Sequence, residues 1–482
     1  MSALTEKDNP ALWEGVQRFA ILPDWLDAAT QPERFIEAFA GAVPEFASGA
    51  LAIQDCDIGH VRLKRDFWTG VYELTVVGPD GEPRDVALRG TIFPPDMLSK
   101  PSVPAASSAF GTEGWQTYLP DLNLKLEMRP PDAALPALPI LSDPQQARDL
   151  LERSISPAAP HYHDLRITAC VPKIMRYSPG SRCTILYRLQ YPAQFADRDW
   201  PAIVVAKTYK GGKGKHAYSG MRALWESEFA RSGGVTLAEP LAYLPDLNVL
   251  VQGPIREEQT LQELIASALR AGTPEALEQL CGTLRQTADG LAGLHRSEVR
   301  FGAVRTWDDE LAEVRSVVDD LATAIPWIAA AASPLLERLK AAAAAEPADP
   351  TMTVHGTFRP GQVLLHNGDI GFIDFDSFCQ AEPALDLSLF LRRTKDIALG
   401  VLSGDASTDQ AARATLLTQA EAVCEVFMSA YEARVPVSRR RVALWEALDL
   451  FTLVLHCWTK VKPERLNNSM LALERHLRSL EL

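Results

Sequence analysis

The stretch from Thr353 to Leu391, TVHGTFRPGQVLLHNGDIGFIDFDSFCQAEPALDLSLFL, constrains the fold more tightly than any other part of the chain. It opens as a tight loop and continues as an apolar strand over Gln362–His366. The chain turns at Asn367-Gly368, returns as a second strand over Ile370–Phe375, and passes through a loop into a helix. Asn-Gly between two such runs is turn chemistry with a mechanism, since both residues tolerate left-handed backbone. Carboxylates crowded into so short a span predict a hairpin that holds a polar site at its mouth.

The remaining 443 or so residues cannot all serve one core, because a chain of 482 residues is expected to split into two or three domains. Hydrophobic residues at 47% and charged residues at 23% are those of an ordinary globular protein. A net charge of −14 argues against a nucleic-acid partner, which would demand clustered Lys and Arg. MSALTEKDNP lacks a basic segment followed by an apolar one, so no secretory signal is expected. No uninterrupted apolar run approaches the roughly 18 residues of a membrane helix, so no membrane association is expected. The seven cysteines are scattered, with no C-x-x-C pair. That pattern fits reduced thiols and a cytoplasmic location.

The first half of the chain repeats itself in order. Gln31-Pro32 and Asp143-Pro144 each open a helical pattern. Cys56 precedes Arg62 as Cys170 precedes Arg176. Strand patterns at 68–77 and 183–191 are each followed by a Pro- or Gly-bearing turn and a second strand, at 85–93 and 202–210. LPDLN then recurs verbatim at 119–123 and 244–248. Two readings are open: a duplication, which the shared order favours, or two helix-plus-hairpin pieces with common turn chemistry. In the second copy, Met221–Arg231 reads as a helix between strand and LPDLN. The matching segment Pro94–Tyr118, rich in Pro, Ser and Gly, predicts no long helix. From about Gly253 the periodicity is helical: Thr260–Leu269, Pro274–His295, Trp307–Ala324, Pro334–Ala345, Gln410–Arg434, Arg439–Lys460 and Leu466–Leu480.

HG-x-F-x-PGQVLL, followed by IDFD and by the DL of EPALDLS, resembles the catalytic and metal-binding loops of the aminoglycoside phosphotransferase and choline kinase-like family. The resemblance implies an α+β chain with a two-lobed protein kinase-like fold. Its N-lobe would span 141–255 and its mainly helical C-lobe 256–482, preceded by an α+β cap over 1–140 that reads as a degenerate N-lobe repeat. It also implies ATP and Mg²⁺ as cofactors. Lys207, at the end of an apolar strand, would grip the phosphates, with Glu226 on the next helix as its partner and Glu228 nearby. The turn Tyr177–Ser181 falls at the nucleotide-positioning loop, although with one glycine it reads equally as a plain hairpin turn. Val249–Ile255, with Gln252, would be the adenine-binding linker. His355 matches a structural histidine, as does His295 in the helix ahead of the loop. Asp374 falls at the Mg²⁺ carboxylate and Asp386 at an aspartate that buttresses the loop from a helix N-terminus.

Two positions depart from that pattern. Thr357 stands where the family carries its catalytic aspartate, and Gln362 replaces the metal-binding asparagine, keeping a carbonyl oxygen one methylene farther out. Asp376 is a further carboxylate that would orient an acceptor or bind a second metal. In the repeat, aligning GTIF with KTYK puts Gly90 opposite Lys207, with Arg89 one residue earlier. Two functions are therefore carried forward. One is ATP- and Mg²⁺-dependent phosphoryl transfer to a small-molecule hydroxyl, on a sugar or amino alcohol. The other is a pseudokinase that binds nucleotide, or a protein partner through the N-terminal domain, without turnover.

Overall fold

The computed structural model describes residues 9–95, 109–130, 132–402 and 409–480. The chain divides into two compact units. One comprises Met1–Pro131, Asp308–Ala345 and Ala447–Leu482, and the other Asp132–Trp307 and Glu346–Glu446. This differs from three consecutive domains, because the helices of 308–345 and 447–482 group with the N-terminal segment. The reason is aromatic burial. Phe19 meets Trp327, Phe451 and Trp458 edge-on, with ring centroids 5.6, 5.4 and 5.9 Å away, and the Trp458 indole donates to the Phe19 carbonyl at 3.0 Å.

In the first unit, β1 (Ala52–Lys64), β2 (Phe67–Val77), β3 (Pro83–Ile92), β4 (Gln116–Leu119) and β5 (Leu124–Met128) form an antiparallel sheet of order β1-β2-β3-β5-β4. The helix Pro32–Ala42, with proline in its first turn, lays the buried Phe35 and Phe39 against it. Phe35 and Tyr72 have ring centroids 4.8 Å apart.

In the second unit, β6 (Ala169–Ser178), β7 (Arg182–Gln190), β8 (Ile203–Tyr209), β9 (Thr236–Leu237), β10 (Pro240–Leu244) and β11 (Val249–Gln252) include a sheet of order β10-β11-β8-β7-β6. Apart from β9, which joins another sheet, this is the order of the first unit. The repeat extends to hydrogen bonds. Tyr72 donates to the Ala29 carbonyl and Tyr187 to the Leu141 carbonyl, each at 2.7 Å and each three residues before the helix-opening proline. Asn123 and Asn248, which end the two LPDLN words, both take left-handed backbone, with φ of 46° and 50°. Each accepts from a tyrosine, Tyr118 at 3.5 Å and Tyr243 at 3.0 Å. Strand order, register and these paired contacts favour duplication over shared turn chemistry.

The register also corrects the alignment of the copies. Tyr72 lies opposite Leu88, and Tyr187 opposite Val204. Three residues farther on, Thr91, and not Gly90 or Arg89, stands where the second copy has Lys207. Gly90 is there for packing, since a Cβ would fall 2.1 Å from the Tyr72 ring. The expectation of no long helix over Pro94–Tyr118 lies largely outside the described residues.

The helix after β8 begins at Lys213, inside KGGKGK, where Gly211 at φ 71° turns the chain. It ends at Trp225, and Ser227 caps a short second helix, Glu228–Arg231. The helix expected from Pro334 starts at Trp327 with Pro334 inside it. Burial of Ala331, Ala332, Leu335 and Leu336 around the proline offsets the backbone hydrogen bond it removes. Beyond β11 the second unit is helical around two small sheets. These use β12 (Gln259–Thr260), β13 (Val304–Arg305), β14 (Met352–Val354), β15 (Val363–His366), β16 (Asp369–Phe372) and β17 (Cys379–Ala381), in orders β12-β15-β16-β9 and β13-β17-β14. The helix Arg439–Lys460 is long and apolar enough to cross a bilayer by length and composition, but 72% of that window is buried in the fold, as in a core helix.

Tyr72→Phe and Tyr187→Phe each strand a buried carbonyl. Each is expected to lower stability by about 1–3 kcal/mol, measured by urea denaturation; a loss in only one of the two would contradict the equivalence of the copies.

Candidate functional site

The loop before β15 is held by one carboxylate. Asp386, fully buried in the first turn of the helix Ala384–Leu399, accepts the backbone N–H groups of His355 at 2.6 Å, Gly356 at 2.9 Å and Phe358 at 3.2 Å. Its fourth donor is His295 Nε2 at 3.2 Å, while His295 Nδ1 accepts from the Tyr431 hydroxyl at 2.6 Å. Burial would raise the Asp386 pKa, but the His295 hydrogen bond and the nearby N–H groups hold it below the usual carboxylate value. His355 Nε2 donates to the Ile373 carbonyl at 2.9 Å, and burial keeps the ring neutral by lowering its pKa. Gly356 takes φ 83°, and a Cβ there would sit 2.1 Å from the Ser377 carbonyl oxygen. The loop therefore has one packing solution.

At the far end of the hairpin, Asp374 adopts left-handed backbone, φ 73°, and the turn Phe375–Ser377 brings Asp376 beside it. Lys207, 9% exposed, reaches both: Nζ is 2.7 Å from Asp374 Oδ1 and 3.1 Å from Asp376 Oδ1. Burial would lower the lysine's pKa, but Asp376 and Asp374 raise it above the usual value. Burial would likewise raise Asp374, yet Lys207 holds it well below the carboxylate range. Asp376 also accepts from Tyr209 at 3.0 Å and Arg182 at 3.5 Å. Arg359 lies 3.8 Å from Asp374 Oδ2. Gln362 Nε2 donates to Asp374 Oδ2 at 3.2 Å and to Thr357 Oγ1 at 3.5 Å, which leaves its Oε1 buried without a partner.

The structure thus gathers Lys207, Thr357, Gln362, Asp374 and Asp376 around one point. Gln252 is buried on β11 opposite Val205, and strand alternation puts it on the sheet face of Lys207. Glu226 does not join them. It is exposed and ion-paired with Arg222, and Glu228 is exposed as well. Because the helix starts at Lys213, Glu226 falls at its C-terminal end, and the helix turns Ala217, Gly220, Met221 and Leu224 inward instead. The partners of Lys207 are the two aspartates.

Sequence reasoning missed Tyr209, Arg182, Arg176 and Arg359. The period-two alternation of β7 and β8 was the available signal for the first two. Arg182 lies opposite Tyr209, and Thr184 opposite Lys207, so all four share one face. Burial and Arg182 hold Arg176 below the usual guanidinium value. Burial does the same to Arg359, with Arg393, Arg176 and Arg182 opposing the pull of Asp374. The turn between β6 and β7 is fixed by Asp132, whose Oδ2 accepts from the Tyr177 hydroxyl and the Gly180 N–H, both at 2.8 Å.

Residues 233–422 match the phosphotransferase enzyme family (APH). This segment carries the loop and the hairpin whose motifs resemble that family. Solved structures similar to the chain include a glucosamine kinase in complex with glucosamine, ADP and inorganic phosphate, at 16% identity, covering 92% of this chain and 99% of that one, with a TM-score of 0.44. A choline/ethanolamine kinase family protein from Mesorhizobium loti shows 13% identity, 68% and 94% coverage and a TM-score of 0.42. An aminoglycoside phosphotransferase from Streptomyces rimosus shows 17% identity, 58% and 91% coverage and a TM-score of 0.35. No curated protein matches the chain.

Asp386→Ala leaves three backbone N–H groups and His295 without their acceptor, and about 3–5 kcal/mol of stability is expected to go with it at neutral pH. The sign with pH follows from the depressed pKa. The contribution is present above the ordinary carboxylate range and is lost as pH falls through the lower folded value. Native and variant stabilities, measured by denaturant melts, should therefore converge in acid; a difference independent of pH would show that the charge is not what holds the loop.

Proposed function

We propose that the second unit binds ATP with Mg²⁺ and transfers the terminal phosphoryl group to a hydroxyl of a small molecule, a sugar or an amino alcohol. The observation that carries this is the meeting of Lys207, Asp374 and Gln362 on a loop and hairpin of phosphotransferase-family sequence. The donor set suits the metal, since Mg²⁺ takes one or two protein oxygens and completes its shell with phosphates and water. Asp374 offers a carboxylate, and Gln362 Oε1 is a buried oxygen in want of a partner. When bound, the ion supplies charge neutralisation across the phosphate oxygens.

The chain's own groups would do the rest. Lys207 would move from its aspartates onto the phosphates. Leu186, Val205 and Gln252, on the same sheet face, would line the slot for the base. Thr357 Oγ1 would accept a hydrogen bond from the acceptor hydroxyl and orient it, but cannot hold its proton near neutral pH. Phosphoryl transfer passes through a loose transition state that rewards positioning and charge more than covalent help. A missing base therefore slows the reaction without abolishing it, by about 10²–10⁴ in rate. Thr357 also favours a second reading, a binding-only module, in which the N-terminal unit would present a surface to a protein partner. An intracellular setting is part of the proposal, in keeping with seven free cysteines.

A thermal-shift titration with ATP and MgCl₂ should raise the melting temperature of the native chain by more than that of Lys207→Ala. No shift in the native chain would refute nucleotide binding. In a hydroxyl-acceptor screen read by ADP release, Thr357→Asp is expected to raise turnover by about 10²–10⁴. Equal rates in the two would show that position 357 does not carry the base.

A further inference from the structure

The site face of the second unit's sheet carries more positive charge than its aspartates use. Lys207 is shared between Asp374 and Asp376. Arg182 adds a contact to Asp376, and Arg359 one to Asp374. Arg176, beside the turn on the neighbouring strand, lies opposite Thr184, itself opposite Lys207, so it stands on the same sheet face. Four cations thus face two carboxylates, an excess of two positive charges, which equals the charge of one Mg²⁺. Thr357 contributes nothing to offset it. Arg176 and Arg182 bracket the turn Tyr177–Ser181, and Asp132 holds that turn through Gly180 and Tyr177, so their backbone anchors are fixed before any ligand arrives. A guanidinium fork matches phosphate oxygens in pairs and stays charged at any relevant pH.

Resting on the nucleotide reading above, we infer that Arg176, Arg182 and Arg359 take over part of the divalent cation's charge, so that this site binds a nucleoside triphosphate with little dependence on metal. Lys207 is released onto the phosphates as the arginines neutralise the oxygens farther along the chain of phosphates. Arg182 and Arg359, each already beside one aspartate, then bridge carboxylate and phosphate with their several N–H groups, so no carboxylate is stranded. Metal, where present, adds to a grip that the side chains already make.

The test is calorimetric titration of the full chain with ATP in excess EDTA and again in excess MgCl₂. Dissociation constants within about tenfold of each other are expected. The double variant Arg176→Gln, Arg182→Gln, at one exposed and one half-buried position, should weaken metal-free binding at least about tenfold and magnesium-bound binding less. Metal-free binding more than about a hundredfold weaker than binding with magnesium would overturn the inference and leave the nucleotide site standing. So would a double variant that binds metal-free ATP as the native chain does. Absence of heat under both conditions would overturn the inference and the nucleotide reading together.

Discussion

A buried ammonium group is the constraint on which the second unit turns. Lys207 lies almost wholly out of water, and an unpaired charge there would be prohibitive. Two carboxylates two residues apart answer it, and they can do so because Asp374 takes left-handed backbone and the turn after it folds Asp376 back. The third strand of the sheet is thereby fastened to the end of the hairpin. The same pairing sets the resting state of the lysine, whose charge is answered from within the site. On the proposed reading, an incoming phosphate would replace carboxylates as the lysine's partner, and other cations would then take charge of those carboxylates. Arg182 and Arg359 are placed for that, one on each aspartate.

The loop that carries position 357 is held by a different device. Asp386 binds the backbone N–H groups of residues 355, 356 and 358, and Gly356 closes against the Ser377 carbonyl. None of these contacts involves the side chain at 357, whose hydroxyl accepts from Gln362 at 3.5 Å. The geometry of the loop and the chemistry of its central residue are therefore separable. Aspartate and threonine are interchangeable there without disturbing the frame, and this is why the surrounding motif reads so clearly around Thr357.

Much of this was legible in the sequence. The hairpin strands, and the helices Pro274–His295, Trp307–Ala324 and Arg439–Lys460, follow from periodicity and end signals. Asp386 and His295 kept the structural parts their neighbours suggested. The failures share a physical origin: each depended on information that is not local. Glu226 was the natural partner for Lys207 only if its helix began near Met221, whereas glycines in KGGKGK let it begin at Lys213. Pro334 read as a helix start because the burial that offsets its missing hydrogen bond comes from elsewhere in the fold. The grouping of 308–345 and 447–482 with the N-terminal unit rests on aromatic contacts hundreds of residues apart in the chain. The one-residue misalignment of the copies lay in the connection after β2: Tyr72 and its partner Leu88 are 16 residues apart and Tyr187 and Val204 are 17, a difference that only the strand pairing fixes.

With the register corrected, the two copies differ in a way that speaks to the site. On the core face the duplicate keeps its parts: Tyr72 with Ala29 matches Tyr187 with Leu141, and Gly90 matches Ala206. On the opposite face, Arg62 still stands where Arg176 does, but the counterparts of Lys207, Tyr209 and Arg182 are Thr91, Phe93 and Phe67. The two phenylalanines face each other with ring centroids 5.9 Å apart. A sheet of this order is therefore stable with an apolar pair at those positions, and the fold does not ask for a buried lysine, a phenol and a guanidinium there. In the second unit the same positions hold a desolvated cation, a tyrosine whose pKa is pushed well above its usual value by burial and then by Asp376, and an arginine. Groups that are expensive to bury, and that a sister module of the same topology does without, are the ones to which the proposed nucleotide site assigns a part.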